Sequence, residues 1–232
     1  MFFNANNLYK KMSTVTVDLS LSAEEGTMTA IVGPSGSGKT TVLRMIAGLE
    51  KSDSKDESSP FSITIGGTDV TKLPVSRRQI GMVFQNGALF NHLSVEDNVA
   101  YGPVCHGVKR SEARRAAAEL LDKMNLKGFG KRSVETLSGG EAQRVSLART
   151  LAIKPKIVLF DEPLSAVDAP LRKKLGEEIR AIQKSENFTG IFVTHDINEA
   201  KTISDSIVLI KNGRILWQGP SKDFDESLMK LF

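Results

Sequence analysis

Gly33-Pro34-Ser35-Gly36-Ser37-Gly38-Lys39-Thr40 fits the phosphate-cradling pattern G-x-x-x-x-G-K-[ST] at every position. Its flanks decide the fold. Met28-Thr29-Ala30-Ile31-Val32 before it is a short, mostly apolar, β-prone run, while Thr41-Val42-Leu43-Arg44-Met45-Ile46-Ala47 after it has helical composition and stops at Gly48. A strand handing over to a helix through a glycine turn gathers successive amide N–H groups, and the positive end of the helix dipole, around one anion. Residues 33 to 38 therefore read as a cradle for the β-phosphate of a nucleoside triphosphate. Lys39 adds a mobile cation for the β- and γ-phosphates, the hydroxyl of Thr40 is placed to ligate Mg²⁺, and Thr41 follows as a further nucleotide contact.

Outward from this loop the chain alternates strand and helix signals. Lys51 to Pro60 is polar and reads as an exposed loop; Ile63-Thr64-Ile65 with Gly66-Gly67 suggests a strand and turn, and Ile80-Gly81-Met82-Val83-Phe84 another strand. From Ser111, read as an N-cap, the apolar residues Ala113, Ala116, Ala117, Leu120, Leu121 and Met124 recur at helical spacing. Ile157-Val158-Leu159-Phe160 and Ile191-Phe192-Val193 read as buried strands around a helix marked by Leu171, Leu175, Ile179 and Ile182. Ser206 to Lys211, the turn Asn212-Gly213, and Arg214 to Gln218 predict a hairpin with a type I′ turn. βα units at both ends of the chain imply a mostly parallel sheet interrupted by a helical lobe at roughly residues 87 to 150.

Composition bounds the function classes. At 232 residues, 40% hydrophobic and 25% charged, the chain has the size of one large domain or one domain with an inserted lobe. Its single cysteine, Cys105, excludes an internal disulfide and a cysteine-rich metal site, and reads as a small buried hydrophobe suited to a reducing compartment. No run approaches the roughly eighteen apolar residues of a membrane span, and Met1-Phe2-Phe3-Asn4 lacks the features of a signal peptide, so the chain is expected inside the cell without crossing a membrane. Its net charge of +4 is spread over Lys109-Arg110, Arg114-Arg115 and Lys131-Arg132 with acids between them, a solvated pattern that predicts no nucleic-acid partner.

Two further stretches carry chemistry. Asp161-Glu162, directly after the apolar run 157 to 160, stands at the C-terminal end of a buried strand, the ligand edge of an open α/β sheet. Asp161 there suits Mg²⁺, and Glu162, pointing another way, suits the general base for the attacking water. Leu137-Ser138-Gly139-Gly140-Glu141 is a second glycine turn opening a helix, and hence a second anion site formed by Ser138, Gly139 and Gly140.

The run Leu-Ser-Gly-Gly-Glu at 137 to 141 resembles the signature sequence of ABC ATPases. Gln85 after a strand, Asp161-Glu162, Ser165-Ala166-Val167-Asp168 and Thr194-His195-Asp196 follow the family's order along nearly the whole chain. The resemblance implies an α/β fold: a P-loop NTPase core with a mostly parallel sheet, an N-terminal antiparallel β subdomain and an inserted α-helical subdomain. Within a single ABC ATPase domain, the RecA-like core would cover about residues 1–86 and 151–232 and the helical subdomain about 87–150. It also implies ATP and Mg²⁺ as cofactors, and a head-to-tail pair of ATPase subunits, a homodimer in the simplest case, in which the phosphate loop of one and the signature of the other enclose each ATP. Gln85 would then reach Mg²⁺ and the attacking water, His195 would contact the γ-phosphate and orient Glu162, and Asp168 would stabilise the interface. Tyr9 is the candidate for stacking on adenine, ahead of Phe2 and Phe3.

The stretch from Arg77 to Val95 is similar to that of bacterial importers, which implies a separate transmembrane permease, an associated substrate-binding protein and a place on the inner face of the cell membrane. Leu89, Phe90 and Leu93 would belong to a groove for a permease helix, or to the core. The chain ends at Phe232, with no room for the C-terminal regulatory domain that many such ATPases append, and Arg214-Ile215-Leu216-Trp217-Gln218-Gly219 is similar to thiamine-importer ATPases. Thiamine, iron, polyamine, molybdate and amino-acid uptake all stay open. A non-transport ABC ATPase is the alternative, and a pseudo-ATPase is disfavoured by the intact Lys39, Asp161, Glu162 and His195.

Overall fold

The computed structural model describes residues 1–53, 58, 60–165, 167, 169–225, 227 and 228, apart from the side chains of 169 and 170. Within the polar stretch expected as a loop between Lys51 and Pro60, residues 54–57 and 59 lie outside the described residues.

Two sheets form the frame. The strands β1 (Phe3–Lys11), β2 (Thr16–Ala23), β4 (Ser62–Ile65) and β5 (Thr68–Asp69) make an antiparallel sheet in the order β2-β1-β4-β5. The second sheet runs β10-β9-β3-β8-β7-β6, built from β3 (Met28–Val32), β6 (Ile80–Val83), β7 (Ile157–Asp161), β8 (Thr189–Thr194), β9 (Ser206–Lys211) and β10 (Arg214–Pro220). Pairing is parallel except at the β9–β10 edge hairpin, where Asn212 and Gly213 both take positive φ, as a type I′ turn requires.

Every residue of β3, β7 and β8 is buried, because this sheet is covered on both faces. The pleat divides their side chains. Ile31, Ile157, Leu159, Ile191 and Val193 pack toward helix α1 (Lys39–Ala47) and the antiparallel sheet. Val158, Phe160 and Phe192 pack on the opposite side against helices α2 (Val95–Cys105), α3 (Arg110–Lys123), α4 (Gly139–Leu151) and α5 (Ala169–Glu186). Ala30 and Val32 meet α6 (Ile197–Ile203). Lying between two sheets, α1 fully buries Val42, Leu43, Met45 and Ile46. That fixes the end of α1 from which the phosphate loop departs.

Between β6 and β7 the chain runs through α2, α3 and α4 without a further strand among the described residues. Asp97 joins the first two of these helices: Arg114 grips its carboxylate in a fork at 2.9 and 2.7 Å, and Arg110 reaches it at 3.0 Å. These hydrogen bonds, Arg114's first, hold the Asp97 carboxyl down to about 2. A carboxyl whose pKa is depressed by folding stabilises the native state above the unfolded value near 3.8, and that contribution fades as pH falls toward 2. Asp97→Asn is therefore expected to cost up to about 1 kcal/mol at neutral pH, less than a buried pair because Arg114 is partly solvated. Urea unfolding at pH 7 and pH 3 measures this. The difference between the parent chain and the variant should shrink at the lower pH.

Two sequence expectations are corrected here. Ser111 is not the N-cap of α3, which starts at Arg110 after a cap residue, Lys109, that makes no side-chain cap bond. The Lys109 carbonyl accepts from the Glu112 and Ala113 amides at 3.0 and 2.9 Å, so the helix is already under way at the serine. Cys105 is exposed rather than buried. It ends α2, whose buried residues Val95, Asn98, Val99 and Ala100 all lie in its first half, while Pro103 interrupts the second.

Candidate functional site

Parallel pairing brings the C-terminal ends of neighbouring strands to one edge. Val32 pairs with Thr194, Asp161 with Val193, and Val83 with Phe160, so the residues that follow each strand emerge side by side. The phosphate loop leaves β3, Glu162 follows β7, His195 follows β8 and Gln85 lies just beyond β6.

Gly38 caps α1 at φ 97° and Gly36 stands at φ 78°, left-handed conformations that turn the loop's amides inward at little steric cost. Within this loop the buried hydroxyl of Ser37 has no hydrogen-bond partner among the described residues. A buried donor left unsatisfied costs free energy, and a phosphate oxygen is the acceptor that its setting suits. Lys39 Nζ is buried and donates to the Gly33 and Pro34 carbonyls at 2.9 and 3.0 Å, with Glu162 Oε1 3.9 Å away. Burial lowers its pKa, against the opposing pull of Glu162 and Asp161. The cation is thus held by weak neutral acceptors that a phosphate can replace.

Thr40 Oγ1 donates to Asp161 Oδ1 at 2.8 Å. A hydroxyl and a carboxylate side by side are hard oxygen donors that fit Mg²⁺. Burial raises the Asp161 pKa, more than the Thr40 hydrogen bond lowers it. A carboxyl raised by folding favours the native state when protonated, and this advantage is lost as pH climbs from 3.8 through the raised value. At neutral pH the ionised Asp161 is a cost to the nucleotide-free fold. Asp161→Asn is expected to raise the melting temperature without nucleotide by about 2–4 °C, the change that about 1 kcal/mol produces in a chain of this size, and to remove the further rise given by Mg·ATP. Thermal melts at pH 7 decide it; a variant that melts lower than the parent chain contradicts the argument.

Glu162 sits at φ 44°, a left-handed conformation uncommon outside glycine, while its N–H donates to the Val193 carbonyl at 3.1 Å. The turn swings its side chain away from the strand direction. Glu162 Oε2 lies 3.1 Å from His195 Nδ1, and His195 is itself exposed. Lys39, Thr40, Asp161, Glu162 and His195 form one connected cluster.

Other candidates lie elsewhere. The depression beside the phosphate loop is lined by Met12, Thr14, Val15, Thr41 and Glu162 together with loop residues. Met12 Sδ accepts from Thr41 Oγ1 at 3.5 Å. Tyr9 is not among the lining residues; its backbone, in β1, is tied to Ser52 and Asp53. Met12 and Val15 escaped the sequence reading, which looked for an aromatic ring. Ser138 and Gly139 are exposed, Gly140 is buried against Leu175, and none of these residues lines the depression. Ser138 instead closes a capping box with Glu141, its Oγ accepting from the Glu141 amide and its own amide donating to the Glu141 carboxylate. Asp168 lies outside the described residues.

Among the described residues no helix is long and apolar enough to cross a membrane. The chain is 46% identical over 228 residues to the Fe(3+) ions import ATP-binding protein FbpC 1 of Rhizobium meliloti, covering 97% of this chain and 63% of that protein. To the FbpC of Mannheimia succiniciproducens it is 44% identical, covering 99% of this chain and 63% of the relative. The chain thus spans a little under two thirds of the length of these relatives. Among solved structures, cbiO1 from Clostridium perfringens, described as part of the ABC transporter complex cbiONQ, superposes with a TM-score of 0.83 at 25% identity, over 96% of this chain and 89% of that one. A family model described as ABC transporter matches residues 16–165, a span that holds the phosphate loop, Gln85, the second glycine turn and Asp161-Glu162. Since that match spans well over half of the chain, the protein belongs to the ABC transporter family.

Proposed function

We propose that the chain is the ATP-binding subunit of an importer and hydrolyses ATP between two copies of itself arranged head to tail. The observation that carries this reading is the cluster of Lys39, Thr40, Asp161, Glu162 and His195 at one sheet edge, with Ser138 and Gly139 exposed away from it. One chain holds half of the chemistry at its phosphate loop and offers the complementary half to a neighbour.

In this reading residues 33–38 and Lys39 bind the phosphates, and Met12 and Val15 flank the base side of the depression. Mg²⁺ would be held by Thr40, Asp161 and Gln85, and when bound it neutralises charge on the phosphate oxygens. Glu162 takes the proton of the attacking water, and His195 steadies the carboxylate through the contact at its Oε2. Ser138 and the Gly139 and Gly140 amides of the second copy stabilise the γ-phosphate, and Asp168 steadies the interface between copies.

The relatives named for Fe(3+) import support ferric iron as the cargo; a separate permease would anchor the subunit at the inner face of the cell membrane. Uptake of radiolabelled ferric iron in cells lacking the gene tests this. Restoration by the parent chain and not by Glu162→Gln is the expected result; unchanged iron uptake in the deletion strain overturns the substrate.

A further inference from the structure

Helix α4 begins with the signature glycines and carries Gln143, Ser146 and Arg149 at intervals of three, along one face. All three point at the loop that follows β6. Gln143 Nε2 donates to the Gln85 carbonyl at 2.9 Å, and Ser146 Oγ donates to the Gly87 carbonyl at 2.9 Å. Arg149 spans two carbonyls, with Nη1 to Ala88 at 2.7 Å and Nη2 to Gly87 at 2.9 Å. Gly87 and Ala88 both have positive φ, 68° and 47°, in a loop whose carbonyls meet the helix. For alanine that conformation is strained, and the surroundings must over-determine it.

Arg149 is costly where it stands. Its guanidinium is half-buried, which lowers its pKa, and its partners among the described residues are neutral carbonyls and the ring of Phe90, 5.4 Å away. A cation half-buried against neutral acceptors, with no carboxylate beside it among the described residues, is harder to accommodate than an apolar residue of the same volume. What it provides is a planar fork that fixes two successive carbonyls at once.

We propose that Arg149, supported by Ser146 and Gln143, is a positioning residue for Gln85, making the glutamine loop and the signature helix one mechanical body. The proposal rests on the head-to-tail reading: the N-terminus of α4 then serves the nucleotide held by the neighbouring copy, while Gln85 serves the nucleotide held by its own chain. A helix is stiff over the roughly 15 Å from Gly139 to Arg149. A displacement of the signature on closure is therefore passed to the loop that carries Gln85.

The test compares the parent chain with Arg149→Met, Arg149→Lys and Ser146→Ala, by hydrogen exchange without nucleotide and by steady-state ATP hydrolysis. Exchange of the 85–90 amides should rise about tenfold in Arg149→Met and less in Arg149→Lys and Ser146→Ala, while β3 and α1 stay protected. Affinity for MANT-ATP should stay within about twofold while kcat falls about tenfold or more in Arg149→Met, with partial recovery in Arg149→Lys. Loop exchange equal to the parent chain, or equal losses in kcat and in MANT-ATP affinity, overturns the proposal. If Arg149→Met does not fold, Arg149→Lys and Ser146→Ala decide by the same readouts. Failure of the head-to-tail reading shows separately, as a parent chain whose specific activity does not rise with protein concentration; the exchange measurement still decides the grip.

Discussion

Glu162→Gln is expected to bind ATP as the parent chain does while kcat falls roughly 10²–10⁴-fold, the range that loss of a positioned general base produces. The substitution keeps shape and hydrogen-bonding length, so the contact with His195 Nδ1 at 3.1 Å has a partner in the amide. It removes the capacity to accept a proton. The left-handed backbone at φ 44° and the Val193 hydrogen bond belong to the main chain and do not depend on the charge. Single-turnover hydrolysis and MANT-ATP binding separate the two quantities. A variant that hydrolyses at the parent rate removes Glu162 from the role.

Lys39→Ala should act on binding instead. Nucleotide affinity is expected to fall roughly 10- to 100-fold, since a hydrogen bond to a charged group contributes about 1.5–3 kcal/mol. The fold should tolerate the change, because burial already disfavours the ammonium and it donates to the Gly33 and Pro34 carbonyls of its own loop. Titration with MANT-ATP, alongside a thermal melt, checks both parts. Unchanged affinity would mean that the backbone cradle alone holds the phosphates.

The contrast between these two variants reflects what the sequence made legible. Lys39, Thr40, Asp161 and Glu162 lie in short local patterns, and the apolar runs of β3 and β7 say that both strands are buried in a parallel sheet. Strand ends in such a sheet share an edge, so adjacency followed from topology. Other features depend on contacts between distant segments. Ser111 has the chemistry of a cap, yet the backbone carbonyl of Lys109 accepts the first helical hydrogen bonds and α3 starts at Arg110. Cys105 had the composition of a core residue but ends a helix whose second half faces solvent. The lining by Met12 and Val15 needed the β1–β2 turn placed beside α1, and the grip of Arg149 on Gly87 and Ala88 joins residues about sixty positions apart. The positive φ of Glu162 has no signal in its residue type.

Each active site is shared between two chains in this reading, and a mixture of two inactive variants shows whether it is. Lys39→Ala disables the phosphate loop and keeps the signature; Ser138→Arg blocks the signature and keeps the phosphate loop. Neither homodimer retains an intact site, whereas a mixed dimer joins the intact loop of one chain to the intact signature of the other. An equimolar mixture should recover about a quarter of the parent ATPase activity, since half of the dimers are mixed and each holds one working site of two. Activity no greater than the sum of the separate variants contradicts the shared site.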